Sequence, residues 1–360
     1  MIVAGQALQR APGAKLLVVD DRGRIAHAPR SAMVDSLRRG DLVIANDAAT
    51  LPASLHGVHE PTRAHIEIRL AARRSLAVDD VKEFLAIVFG NGDFRTRTED
   101  RPPPPRLASG DRLALGPLRA IVQCVLGHPR LITLRFEGSP AAIWQGLAHH
   151  GRPIQYAHMA TLLELWDVWT PIAGAPVAFE PPSASFALDW RTLAAMRRRG
   201  IVFATLTHTA GISSTGDSEL DALLPFDEPY SIPERTLRAV MRTRAQRGRV
   251  VAVGTTVVRA LEDSAAHDGK LRAGAGVATL RIGESTRLKI VDAILTGTHP
   301  PGTSHYALLR AFVDEPTLCR VTRELDAHAY RTHEFGDSML VERSARQFHA
   351  TCGAEALTAA

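Results

Sequence analysis

Two stretches of strand–helix alternation flank a block of short strands with no helical period between them, and this arrangement constrains the fold more than any other feature of the chain. At the amino end the apolar, β-branched run Lys15–Asp20 turns through Asp20-Asp21-Arg22-Gly23 and returns as Arg24–His27, so a hairpin is expected. Ser31 is placed to cap a short amphipathic helix reaching Arg39. Gly40-Asp41 then leads into the strand Leu42–Ala45, which ends at the polar pair Asn46-Asp47. From Leu55 to Glu137 the runs His65–Leu70, Leu113–Leu115, Leu118–Val125 and Arg130–Phe136 are separated by Gly, Pro and charged turns, as in a small antiparallel barrel or sandwich. After Ala141 the alternation resumes, with helices at Ala141–His150, Asp189–Arg199, Ser304–Val313 and Pro316–His328 and strands at Ile201–His208, Val277–Ile282, Lys289–Leu295 and Ser338–Glu342. The pattern predicts a layered mixed α/β main domain from residues 1–55 and 141–345. An inserted small antiparallel β-barrel domain is expected over 56–140, and a flexible tail over 346–360.

Composition removes several function classes. With 45% apolar and 22% charged residues among 360, the chain is neither disordered nor fibrous. No window reaches the ~20 uninterrupted apolar residues of a membrane span, and MIVAGQALQRAPGAK has no basic segment ahead of an apolar core, so a cytoplasmic protein without a secretory signal is expected. Cys124, Cys319 and Cys352 are scattered, which argues against a disulfide framework or structural metal and for free, mostly buried thiols. Lys plus Arg exceeds Asp plus Glu by 43 to 38, a net charge of +5 that permits nucleic-acid binding without requiring it.

The sharpest local signal is the buried strand Arg249–Val253 running into Gly254-Thr255-Thr256 and a second helix. Glycine lets a ligand approach the backbone, and the helix amino terminus offers unpaired N–H groups and a positive dipole end. The threonines can hold a ribose or carboxylate, or simply cap the helix. Neither G-x-x-x-x-G-K-[ST] nor G-x-G-x-x-G is present, so ordinary ATPase and dinucleotide readings lack their motif. In Thr296-Gly297-Thr298-His299-Pro300-Pro301 two prolines hold an imidazole on a stiff loop, suited to proton transfer or to a loop hydrogen bond. Asp337, after Gly336, is an acid, a base or a turn cap. Glu228 and Tyr230 form a polar pair between prolines, and His208 ends a strand.

Taken in order, these segments resemble the S-adenosylmethionine:tRNA ribosyltransferase-isomerase family of queuosine biosynthesis. Gly254–Glu262 is similar to the family's G-T-T-S-V-R-T-L-E, and Thr296, His299, Pro301 and Ser304 sit where it has T-N-F-H-L-P-K-S-T. Gly336–Leu340 is similar to G-D-A-M-L, Glu228 and Tyr230 fall on M-H-S-E-x-Y, and Asn46-Asp47 with Pro52-Ala53 resemble N-D-T-R-V-I-P-A-R-L. The resemblance implies a transferase that moves and isomerises the ribosyl group of S-adenosylmethionine onto a 7-aminomethyl-7-deazaguanine base in tRNA, releasing adenine and methionine. It implies S-adenosylmethionine as co-substrate, with no metal. On it, His299 and Asp337, with Glu228 in reserve, are the expected proton-transfer residues. Gly254, Thr255, Thr256, Arg259 and Thr296 are expected to line the binding pocket, with Asn46 and Asp47 opposite. Phosphates of the RNA are expected on the arginine-rich helix Arg235–Arg249.

The chain departs from the family pattern at several positions. Ala48-Ala49 and Ser54 stand where the family has T-R and a second arginine, Ser185 stands for a histidine, and Glu180 has entered the same segment. Loss of two bidentate phosphate grips leaves open a different, non-tRNA acceptor or a non-catalytic nucleotide- or RNA-binding relative.

Overall fold

The computed structural model describes residues 1–344; the tail expected at 346–360, with Cys352, lies outside the described residues. The central sheet has nine strands, in the order Gly274–Ala278, Glu228–Ile232, Val202–His208, Leu42–Asn46, Val250–Val253, Ala293–Gly297, Ser338–Glu342, Lys15–Val19 and Ile25–Pro29. Its four middle strands, from Val202–His208 to Ala293–Gly297, run parallel. Glu228–Ile232 and Ser338–Glu342 run antiparallel beside them.

Period-two alternation feeds two apolar layers, as expected for a sheet covered on both faces. Leu42, Ile44, Val250, Ala252 and Ile294 pack under Val257, Leu261, Phe312 and Leu318. Val43, Ala45, Val251 and Val253 pack on the other face with Met33, Leu188 and Met196. Each such fully buried aliphatic side chain contributes ~1.5–3 kcal/mol of transfer free energy.

The strands Ser54–His59, Ala64–Ala72, Glu83–Phe89, Arg112–Leu115, Leu118–Val125 and Leu131–Phe136 close into an antiparallel barrel, in agreement with the α/β-plus-barrel expectation. Ile143 and Leu147 of the helix Pro140–His150 join its apolar core. The barrel also buries a charged cluster. Glu67 accepts hydrogen bonds from Arg69 at 2.7 Å, Arg101 at 2.5 Å and Ser54 at 2.8 Å. Burial raises the Glu67 pKa, but the two guanidinium groups outweigh it and hold the carboxyl down at about 2.

Local differences from the sequence expectations have simple causes. Two barrel strands, Ser54–His59 and Glu83–Phe89, are not among those expected; in the second, E-F-L-A-I-V-F is nearly continuous apolar chain without period-two alternation. The helix expected after Ser31 is a 3₁₀ segment, Arg30–Ser36. The strands expected at Val277–Ile282 and Lys289–Leu295 form at Gly274–Ala278 and Ala293–Gly297. Cys124 and Cys319 are free but exposed, not buried; Cys124 lies at a register shift in the barrel wall. Among the described residues no helix is long and apolar enough to cross a membrane.

Candidate active site

Parallel order places the carboxyl ends of Leu42–Asn46, Val202–His208, Val250–Val253 and Ala293–Gly297 at one edge of the sheet, where ligands of α/β folds gather. The antiparallel neighbours start at that same edge, with Glu228 on one side and Ser338 on the other. A cavity of about 510 Å³ opens there, lined by the Gly254-Thr255-Thr256 turn, Glu228, Arg259, Thr296 and His299. Its volume is that of an ordinary small-molecule site.

Gly254 has φ 90° and ψ 158°, a conformation essentially confined to glycine. The helix Thr255–Ser264 begins directly after it with no side-chain cap, leaving its first N–H groups available at the cavity wall. Asn46, fully buried, supports this turn from behind. Its amide donates to the His208 carbonyl at 2.9 Å and to the Thr256 hydroxyl at 3.3 Å, and its oxygen accepts N–H bonds from Ala48 and His208.

Arg259 and Glu228 form a buried ion pair. The guanidinium also donates to the carbonyls of Leu280, Phe226 and Ala278 at 2.9–3.0 Å, and Glu228 accepts the Gly211 N–H at 2.6 Å. His208 is fully buried with its Nε2 3.5 Å from Glu228; burial, then the Arg259 charge, depress it to about 3, so it is neutral. Burial raises Glu228 despite its cationic partner.

Thr296 and His299 share a hydrogen bond of 3.1 Å, and the His299 ring stacks on His305 at 4.5 Å. His333, also in the lining, stacks on His158 at 4.5 Å. Burial drives His299 well below its ordinary value, with further depression from His305 and His333, while His305 and His158 fall to about 4. All these imidazoles are neutral at pH 7.

Two lining carboxylates were not among the expected site residues: Glu180 and Glu334. Burial, then the Glu334 carboxylate, push Glu180 up to about 8, although Ser213 donates an N–H to it at 3.0 Å. Desolvation raises Glu334 as well. Sequence offered partial signals. Glu180 is the acidic newcomer in its segment, and His333-Glu334 lies within the stretch from which Asp337 was singled out.

Three expected residues are absent from the lining: Asn46, Asp47 and Asp337. Asp47 accepts the Thr207 hydroxyl at 2.6 Å. Asp337, 1% exposed, accepts the backbone N–H groups of Lys15 and Arg331, each at 2.8 Å, and so ties the chain before the last strand to the sheet.

Glu180 also makes a stability prediction. Its folded-state pKa of about 8 lies above the ordinary 4.5, so its contribution is fully present below pH 4.5 and is lost as pH rises through 8. Glu180→Gln, which cannot ionise, is expected to melt above the parent at pH 9 and level with it at pH 4; equal melting temperatures at pH 9 would contradict the assigned shift.

A family model described as queuosine biosynthesis protein matches residues 1–341. The chain belongs to this family. Its relatives include the S-adenosylmethionine:tRNA ribosyltransferase-isomerase of Synechococcus elongatus, 29% identical over 352 residues that cover 94% of this chain and 92% of the relative. The protein of the same name from Sorangium cellulosum is 31% identical over 364 residues, covering 94% of this chain and 95% of the relative. Among solved structures, the S-adenosylmethionine tRNA ribosyltransferase of Thermotoga maritima matches the fold with a TM-score of 0.51 at 22% identity, over 94% of this chain and 96% of that one. The glycine-threonine turn and the histidine loop of this chain, distant in sequence, are walls of one cavity.

Proposed function

We propose that this chain transfers and isomerises the ribosyl group of S-adenosylmethionine onto a 7-aminomethyl-7-deazaguanine base in tRNA, with release of adenine and methionine. The carrying observation is the electrostatic character of the cavity. Imidazolium groups would repel a sulfonium, and here the lining histidines are held neutral beside carboxylates. Glu334 gains when a cation enters, because a neighbouring positive charge favours its ionised form, and the Glu334 carboxylate in turn helps burial keep Glu180 protonated.

The roles follow from protonation state. A sulfonium acidifies the hydrogens of the sugar carbon beside it, and His299, neutral and aligned by Thr296, is the acceptor for that proton. Adenine leaves only if its nitrogen is protonated or hydrogen-bonded, and Glu180, protonated at neutral pH, is the donor. The free N–H groups after Gly254 and the hydroxyls of Thr255 and Thr256 hold the carboxylate or ribose of the nucleoside. Arg259 and Glu228 shape the wall between them. Asp337 and Asn46 act by fixing backbone. Exposed Arg235, Arg238, Arg242 and Arg247 are offered to the phosphates of the tRNA body; Arg249 is engaged by Asp41 and Glu342. Such a role places the chain in the cytoplasm.

Incubation with S-adenosylmethionine tests the assignment. Adenine and methionine are expected in equal amounts only when tRNA carrying the aminomethyl base is supplied. Release with a free nucleoside or small amine and no tRNA would replace the acceptor, and measurable binding without any release would leave a non-catalytic relative.

A further inference from the structure

A second cleft, of about 560 Å³, lies beside the cavity, between the barrel wall and the edge strands of the sheet. Pro225 and Arg281 line both spaces, so the two adjoin. The barrel side supplies Arg73 and Arg74, and the sheet side an apolar shoulder of Leu223, Phe226 and Val277, of which Leu223 and Val277 are exposed. Glu83 and Asp227 also line it, and Glu83 stands 3.9 Å from Arg74.

Arg73 is the unusual member. It is 4% exposed, and one terminal nitrogen donates to the carbonyls of Ala77 and Asp80, at 2.6 and 3.0 Å. Its Nε and Nη1 are buried without a hydrogen-bond partner. Burial lowers its pKa from an ordinary value so high that the group stays charged. A buried guanidinium with idle donors carries a large desolvation cost, which an incoming anion offsets with charge-assisted hydrogen bonds. Arginines beside an apolar shoulder are the equipment of a single-stranded nucleotide site, one part gripping phosphate and the other packing on the base or sugar.

We infer that this cleft holds the nucleotide adjoining the target base, with its phosphate on Arg73, Arg74 and Arg281, while the target base itself is splayed into the cavity. The inference rests on the proposal that the acceptor is tRNA.

Arg74→Glu is the primary probe, since Arg74 is mostly exposed and lines only the cleft. Arg73→Gln is the second, with its fold checked by circular dichroism. Affinity for a fluorescein-labelled tRNA stem-loop carrying the aminomethyl base is read by anisotropy across a salt series. Each variant is expected to bind roughly tenfold more weakly, and the slope of log affinity against log salt to fall by about one for Arg74→Glu. KM for tRNA should rise, with KM for S-adenosylmethionine unchanged. Unaltered stem-loop affinity in a folded Arg74→Glu variant would overturn the inference. The tRNA proposal is judged separately, by whether the unsubstituted protein releases adenine.

Discussion

Replacing His299 with glutamine is expected to lower kcat by ~10²–10⁴-fold while S-adenosylmethionine still binds with nearly unchanged affinity. Glutamine can keep the hydrogen bond to Thr296 but cannot take up a proton. The unsubstituted enzyme should carry a matching pH signature. Because His299 is depressed well below its ordinary value, it is already an available base at pH 6, so kcat/KM should show no acidic limb from it near neutrality. The basic limb should belong to Glu180, falling as pH rises through about 8, where the donor loses its proton. In kcat, which reports the bound complex, that limb should shift to lower pH because the sulfonium favours the carboxylate. Glu180→Gln should remove the basic limb together with most of the rate. A His299→Gln enzyme with near-parental kcat would show that the proton goes elsewhere.

The largest stability effect is expected from Arg259→Met. Arg259 is 5% exposed and satisfies Glu228 together with three backbone carbonyls drawn from the loop at Phe226 and the chain at Ala278 and Leu280. Removing one partner of such a buried pair costs ~3–5 kcal/mol, because the remaining charge and the carbonyls are stranded. Glu228→Gln in the same chain should recover part of that loss, since the stranded group is then neutral. Urea unfolding of the single and double variants measures both quantities. A single-variant loss below about 1 kcal/mol would show Arg259 to be a dispensable wall residue.

These predictions show where the sequence was legible and where it was not. Within Gly254–Glu262 the turn and helix could be read directly, because glycine after four buried aliphatics has few alternatives. The work of the same segment's charges could not. Glu262 points inward to accept three backbone N–H bonds from Lys289, Ile290 and Val291 at 2.7–2.9 Å, and nothing in its local pattern distinguishes that anchor from a catalytic acid. Asp337 and Glu334 illustrate the same limit. Three residues apart on one turn, they face opposite ways, and the choice depends on where Lys15, more than three hundred residues away, brings its N–H. Glu180 acquires its high pKa from burial and then from Glu334, both of which exist only once the chain has folded.

The most direct measurement is a structure of the protein with S-adenosylmethionine bound. The sulfonium is expected against His299 and the carboxyl pair Glu180–Glu334, with the nucleoside resting on the backbone of Gly254, Thr255 and Thr256. A molecule bound outside this cavity, or turned so that its sugar faces away from His299, would contradict the account.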